Sequence, residues 1–326
     1  MEIELIEHTM INSKIEQSNT LYLLVDALPV EQWAYVPLKD DDLEIPEVKD
    51  FPQIIKEQDR YVKCHWLWED TDWNEHYRQG PCLVEIEPES ALVDFFAETL
   101  AVEGFGVLLQ TANSTNELIE HLRSLLRVRV QGKGLVYFKI NNPRTLASYV
   151  DTLAEEKLAQ LLGPISNVIW RQNVGAKHQW MNYKNSHRYE PEQKNMGWFI
   201  WSAEEIQQID RDELLLFRKS LLNDALHYRE IGYFERQPTM ALQKLSEKAL
   251  TEVIYQLLAE AEEYQVLDKK LKKRWVELFL YYKNYVERPA YKMILQDTQL
   301  HPNRRIKNVN YLLKQELKGK SEGEVL

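Results

Sequence analysis

The chain has 326 residues, 44% of them apolar, and a net charge of −11. That much apolar material fills a core for one large or two ordinary domains and excludes wholesale disorder. The acidic balance makes nucleic acid and anionic membranes poor partners. The charge is uneven: the first hundred or so residues carry roughly seventeen more acids than bases, while 264–320 is net basic by about nine. The apolar runs at 21–25 and 107–109 are far too short to span a bilayer, so no membrane insertion is expected. The acidic start, Met1-Glu2-Ile3-Glu4, lacks the basic and apolar regions of an export signal. Cys64 and Cys82 are the only cysteines, too few for a disulfide framework. These features together predict a cytoplasmic location.

In chain order, 20–27, 82–87, 106–111 and 135–141 are short Leu-rich or β-branched runs and predict strands. Between them, 89–102, 116–126 and 143–162 carry apolar residues at three- and four-residue spacing, the pattern of amphipathic helices. Ser114 and Glu117 form a capping-box pair, in which the hydroxyl accepts from an orphan N–H and the carboxylate reaches back. Pro143 opens its helix, and Gly163-Pro164 closes it. Gln131-Gly132-Lys133-Gly134 predicts a hairpin between 128–130 and 135–139, and hence a mixed sheet.

From about 165 to 201 the chain is aromatic and polar, a connector with a few short strands. Beyond Ser202, which pairs with Glu205 as a second capping box, helices are expected at 203–229, 239–264, 268–286 and 309–318, with breaks at Gly232, Pro238, Pro289 and Pro302. The fold class is therefore α/β, a mixed sheet with packed helices in the N-terminal half, followed by a mainly α-helical C-terminal lobe. The expected boundaries are 1–172 for the α/β domain, 173–201 for the connector and 202–326 for the helical lobe.

Signatures of chemistry are scarce. The sequence has no phosphate-binding loop, no dinucleotide fingerprint and no nucleophile elbow, so no catalytic residue or cofactor is expected. Cys64, His65, Glu69, Asp70, Asp72, Glu75 and His76 include zinc-ligand types. Cys64 and His65 are adjacent, however, and no second pair stands at two-to-four spacing. Trp66, Trp68, Trp73 and Tyr77 interleave with the acids, and an acidic loop anchored by aromatics is the reading adopted, with no metal. His178 and His187 have no metal or nucleophile spacing. The basic run 269–274 lies on a helix whose other side carries Leu271, Trp275, Leu278 and Phe279, which makes it a solvated face. An enzyme using the Cys64–His76 cluster is the first alternative. A nucleic-acid binder using the basic C-terminal helices is the second.

Six short blocks share one order. They are Leu21-Tyr22-Leu23-Leu24-Val25-Asp26-Ala27, Gly80-Pro81-Cys82-Leu83-Val84, Gly106-Val107-Leu108-Leu109, His121-Leu122-Arg123, the stretch from Tyr137 to Leu146 with Asn142-Pro143-Arg144 at its centre, and Leu162-Gly163-Pro164-Ile165. In that order they resemble the type VI secretion effector adaptor domain, the Tap/TEC-type chaperone encoded beside VgrG spike proteins. The resemblance covers roughly 20–170. It implies a non-enzymatic protein that binds a toxic effector in the cytoplasm and loads it onto VgrG. The family-motif positions are Asp26, Pro81, Leu83, Gly106, Leu122, Arg123, Asn142, Pro143, Arg144, Gly163 and Pro164, and a structural role, tying helix ends to strands, is expected for them. Lys139 and Asn142 stand where the family has Arg and Asp, so a neutral bond is expected to replace that ion pair. The C-terminal lobe would supply cargo specificity. Trp180, Tyr183, Trp198, Trp201, Trp275, Phe279 and Tyr282 are the candidate partner-binding residues.

Overall fold

The computed structural model describes residues 4–7, 11–35, 49–174, 177–187, 189, 195–230 and 244–323. Gly232, Pro238 and the 239–243 part of an expected helix lie outside the described residues. The chain forms two compact units, Met1–Glu213 and Leu214–Leu326.

Among its described residues the first unit has ten strands: β1 (Glu4–Ile6), β2 (Thr20–Asp26), β3 (Lys63–Trp66), β4 (Pro81–Ile86), β5 (Val107–Thr111), β6 (Arg127–Val130), β7 (Gly134–Tyr137), β8 (Asn167–Val174), β9 (Lys177–Lys184) and β10 (Ile200–Trp201). Seven of them form one antiparallel sheet in the order β1-β9-β8-β5-β2-β4-β3. The other three form a small sheet, β10-β6-β7, in which β10 runs parallel to β6 and β7 antiparallel to it. The expected hairpin at 131–134 is present, but its mixed pairing belongs to the small sheet.

Strand β2 lies between β4 and β5, and its side chains alternate between two apolar layers. Leu21, Leu23 and Val25 enter one layer with Phe51, Ile55 and Phe96; Tyr22 and Leu24 enter the other with Leu118, Leu122 and Trp170. Burial on both faces is why the sequence shows a continuous apolar run here and no alternation. Gly106 enters β5 with φ +78°, and a Cβ there would stand 2.6 Å from the Leu24 carbonyl oxygen, so a side chain is excluded on both grounds.

The helices follow their local signals. Ser114 and Glu117 exchange the two expected capping bonds, and so do Ser202 and Glu205. Asp50 and Gln53 make a third box. The helix expected at 143–162 is two helices, Pro143–Thr152 and Glu155–Leu162, because Leu153 and Ala154 are extended and the acids Glu155 and Glu156 then favour a new N-terminus. The stretch 173–201, read as a connector, completes the β8–β9 hairpin of the main sheet and supplies β10. The strand pattern of that hairpin is diluted because Asn167, Gln172 and Asn182 are buried in it. Asn167 donates to Gln110 Oε1 (3.1 Å) and Asn182 to Glu4 Oε2 (3.1 Å). The division into units falls at 213, inside helix Ala203–Glu230, because Ile206 and Ile209 pack into the first unit's core.

The second unit contains helices Glu247–Glu263, Lys269–Tyr281, Lys283–Val286, Pro289–Gln296 and Pro302–Gly323. Pro289 and Pro302 open helices rather than merely ending them, since proline at the first turn gives up no intrahelical bond. The Arg305 side chain is buried here. It donates to Leu295 O (2.7 Å) and Tyr264 O (2.5 Å), carbonyls at the C-terminal ends of two other helices. The negative ends of those helices offset the buried charge.

Two outcomes follow. Fragment 49–213 lacks β2, which separates β4 from β5, and will fail to show a cooperative transition, whereas 1–213 will show one by circular dichroism; a folded 49–213 would contradict this sheet order. Arg305→Met leaves two buried carbonyls unpaired and should destabilise the second unit by about 2–4 kcal/mol in urea unfolding, whereas a loss below about 0.5 kcal/mol would show that Arg305 contributes no such cap.

Candidate functional site

Helix Thr115–Leu125 packs Leu118, Leu122 and Leu125 into the first unit's core. Together with the loop after β3 it borders a cleft of about 740 Å³. Asp70, Asp72, Glu117 and Glu120 contribute carboxylates to this cleft, and Trp73 and Tyr189 contribute rings. The Arg127 guanidinium stands 2.7 Å from Asp72 and 4.5 Å from the centre of the Trp73 ring, an ion pair and a cation–π contact at once. Trp68, Trp73 and Tyr137 pack edge to face or tilted at 5.5–6.1 Å, which fixes the loop to β7. Burial and the charge of Asp26 push the Tyr137 hydroxyl up to about 12.

The family-motif positions lie around this cleft and the adjoining sheet. His121 is buried, and its Nε2–H donates to Leu161 O (2.9 Å), since a carbonyl only accepts. Gly163, at φ +56°, lies against that ring, where any Cβ would overlap it. Pro164 O accepts from the Thr111 hydroxyl (2.6 Å). Leu122 and Leu83 are core residues, and Pro81 opens β4. Arg123 donates to Trp66 O (3.1 Å), which ties helix to strand. Asn142 caps helix 143–152 by accepting from the Arg144 N–H (3.1 Å), Pro143 stands at its first turn, and the Arg144 side chain is exposed. The expected neutral bond between 139 and 142 is replaced by a charged one elsewhere: Lys139 donates to Asp26 Oδ2 at 2.5 Å.

The Cys64–His76 stretch does not gather. Cys64 and His65 lie on β3, where His65 Nε2 is 3.6 Å from Glu85, while Glu69, Asp70, Asp72, Glu75 and His76 are exposed. The Cys64 and Cys82 thiols neighbour one another across β3 and β4, and burial pushes Cys82 well up. Among the described residues no three of His, Cys, Asp and Glu come together as a metal site. His187 pairs with Glu155 (2.9 Å). The side chain of His178 lies outside the described residues.

Of the candidate partner-binding residues, Trp180, Tyr183, Trp201 and Trp275 are 1–5% exposed and serve as core. Trp198 is half-buried and donates to Ser124 Oγ (3.0 Å). In the second unit, Trp275 stacks on Tyr264 (5.6 Å) and Phe279 (5.1 Å), and all three line a groove of about 390 Å³ with Leu257, Glu260 and Lys292. Tyr282 is half-buried beside it. The basic run bears ion pairs from Lys272 to Glu262 (2.5 Å) and from Lys273 to Asp224 (2.7 Å), as a solvated face does. The Trp275 groove and the Arg305 clamp have no sequence motif, and only spatial packing reveals them.

Residues 46–160 match the family model of a domain of unknown function (DUF4123). The match contains β3, β4, β5 and the small-sheet hairpin, with four of the six motif blocks. The blocks at 21–27 and 162–165 lie outside it, yet both pack against it through β2 and Gly163. No curated protein and no solved structure matches the chain.

Burial, the neighbouring Glu263 and the charge of Glu287 raise the Glu260 carboxyl pKa. A carboxyl raised in the folded state favours folding only while protonated and opposes it once ionised. Glu260→Gln should therefore raise the melting temperature at pH 7–8, with the gain fading as pH falls below the ordinary glutamate range. A gain that grows toward acid pH would contradict this placement.

Proposed function

We propose that the chain is a non-enzymatic cytoplasmic adaptor that binds a type VI secretion effector and loads it onto a VgrG spike. The observation that carries this reading is the DUF4123 match over 46–160, in which the motif residues serve as structural ties. DUF4123 domains are associated with that role. Two surfaces suit binding: the acid- and aromatic-lined cleft of the first unit and the Trp275 groove of the second. Each offers rings flanked by charged groups, the usual makeup of an interface anchor with a polar rim. Among the described residues no helix is long and apolar enough to cross a membrane, which fits a protein that meets its partners in solution. In this reading the first unit is the common platform and the second supplies cargo choice.

Affinity purification from the native cell tests this. The toxin and spike encoded beside the gene are expected to co-purify, and the combined Cys64→Ala, His65→Ala, His76→Ala variant is expected to retain both. Loss of function in that variant, with the fold intact, would favour the enzyme alternative. Absence of both partners from the wild-type purification would overturn the adaptor reading.

A further inference from the structure

The small sheet has an open edge whose chemistry differs from the rest of its unit. Arg129 N–H donates to Phe199 O and Gln131 N–H to Trp201 O, both at 2.9 Å, so the odd residues of β6 face β10. The even residues of β6 therefore face β7. Phe138 N–H donates to Leu126 O (3.0 Å), and Val128 and Val130 stand opposite Val136 and Gly134. Alternation then turns the N–H and C=O of Leu135 and Tyr137 away from β6. Among the described residues strand β7 is the last strand of this sheet, so those groups form a pairing edge.

The side chains around that edge are apolar and basic. Ile200, Arg129 and Leu135 stand in one row across the outer face, with Ile200 51% and Leu135 49% exposed. Arg129 and Lys133 are exposed, and an open hollow of about 600 Å³ lies between Arg129, Lys157 and Ile200. Residues 121–150 contain six Arg or Lys and no Asp or Glu, whereas 1–213 as a whole carries 36 acids against 20 bases. Two of the six are matched internally, Arg127 by Asp72 and Lys139 by Asp26.

We infer that the β7 edge takes an extended, acidic segment of a partner protein as an added strand. Backbone pairing at Leu135 and Tyr137 would supply affinity. Carboxylates on the outer face of the segment would extend the Arg129–Leu135 row and meet Arg129 and Lys133, while its apolar side chains, on the other face, would continue the inner row of Val128, Val130 and Val136. A basic segment would lack those ion pairs, and a second copy pairing β7 with β7 would bring Arg129 and Lys133 near their own equivalents. The inference deepens the adaptor reading, on which it rests for the partner's identity.

The test uses the full isotope-labelled chain with two ten-residue probes, one alternating valine and glutamate, the other valine and lysine. The glutamate peptide is expected to bind and to slow amide exchange at Leu135 and Tyr137 by at least about tenfold, while Val136 is already protected. Arg129→Glu with Lys133→Glu, both exposed positions, should weaken that binding by about tenfold or more, and added salt should weaken it too. Equal binding of the lysine peptide, unchanged exchange at Leu135 and Tyr137, no binding of the glutamate peptide, or self-association through β7 would each overturn the inference. Toxin co-purification is measured separately, and its failure bears on the adaptor reading alone.

Discussion

Strand β2 pairs with β4 on one edge and β5 on the other, and a separate apolar layer covers each of its faces. Burying each of its leucines removes a side chain from water at a gain of roughly 1.5–3 kcal/mol. Both layers depend on this strand: helix Thr115–Leu125 closes one and helix Phe51–Gln58 the other. The Tyr22 hydroxyl reaches the start of the first helix at Thr115 (2.8 Å), and Asp26 at the strand's end holds Lys139. The cleft, the aromatic loop and the small sheet are positioned from this centre.

The polar positions of the core serve the same arrangement. Gln110 is 1% exposed and exchanges two bonds with the Glu16 backbone, which pins the N-terminal segment across the sheet. Thr111 holds Pro164, and Gly163 makes room for His121. A buried polar group without a partner costs about 1–3 kcal/mol, so these residues specify how the segments fit, beyond filling space. In the second unit Arg305 has the same role, joining the ends of two helices.

Local signals in the sequence were the readable ones. The capping boxes at Ser114 and Ser202, the proline at 143 and the apolar runs of β2, β4 and β5 announce themselves within a few residues. Strand order does not, because the edges of β2 meet partners some 60 and 85 residues away. Strands β8 and β9 were hidden by buried amides, and the 153–154 break was hidden because both of its flanks are amphipathic. Aromatic content pointed to Trp180 and Trp201 as contact residues, yet large rings fill cores as readily as interfaces, and these fill the core. The open edge of β7 needed both the sheet order and the charge pattern before it could be seen.

In the proposed function the first unit is a common platform and the second sets cargo choice. It is tested by exchanging residues 214–326 for the corresponding unit of another protein that matches the same family model and co-purifies with a toxin of its own, then measuring which toxin co-purifies. Cargo choice is expected to follow the transplanted unit while binding to the original spike is kept. Unchanged cargo choice in a folded chimera would contradict it.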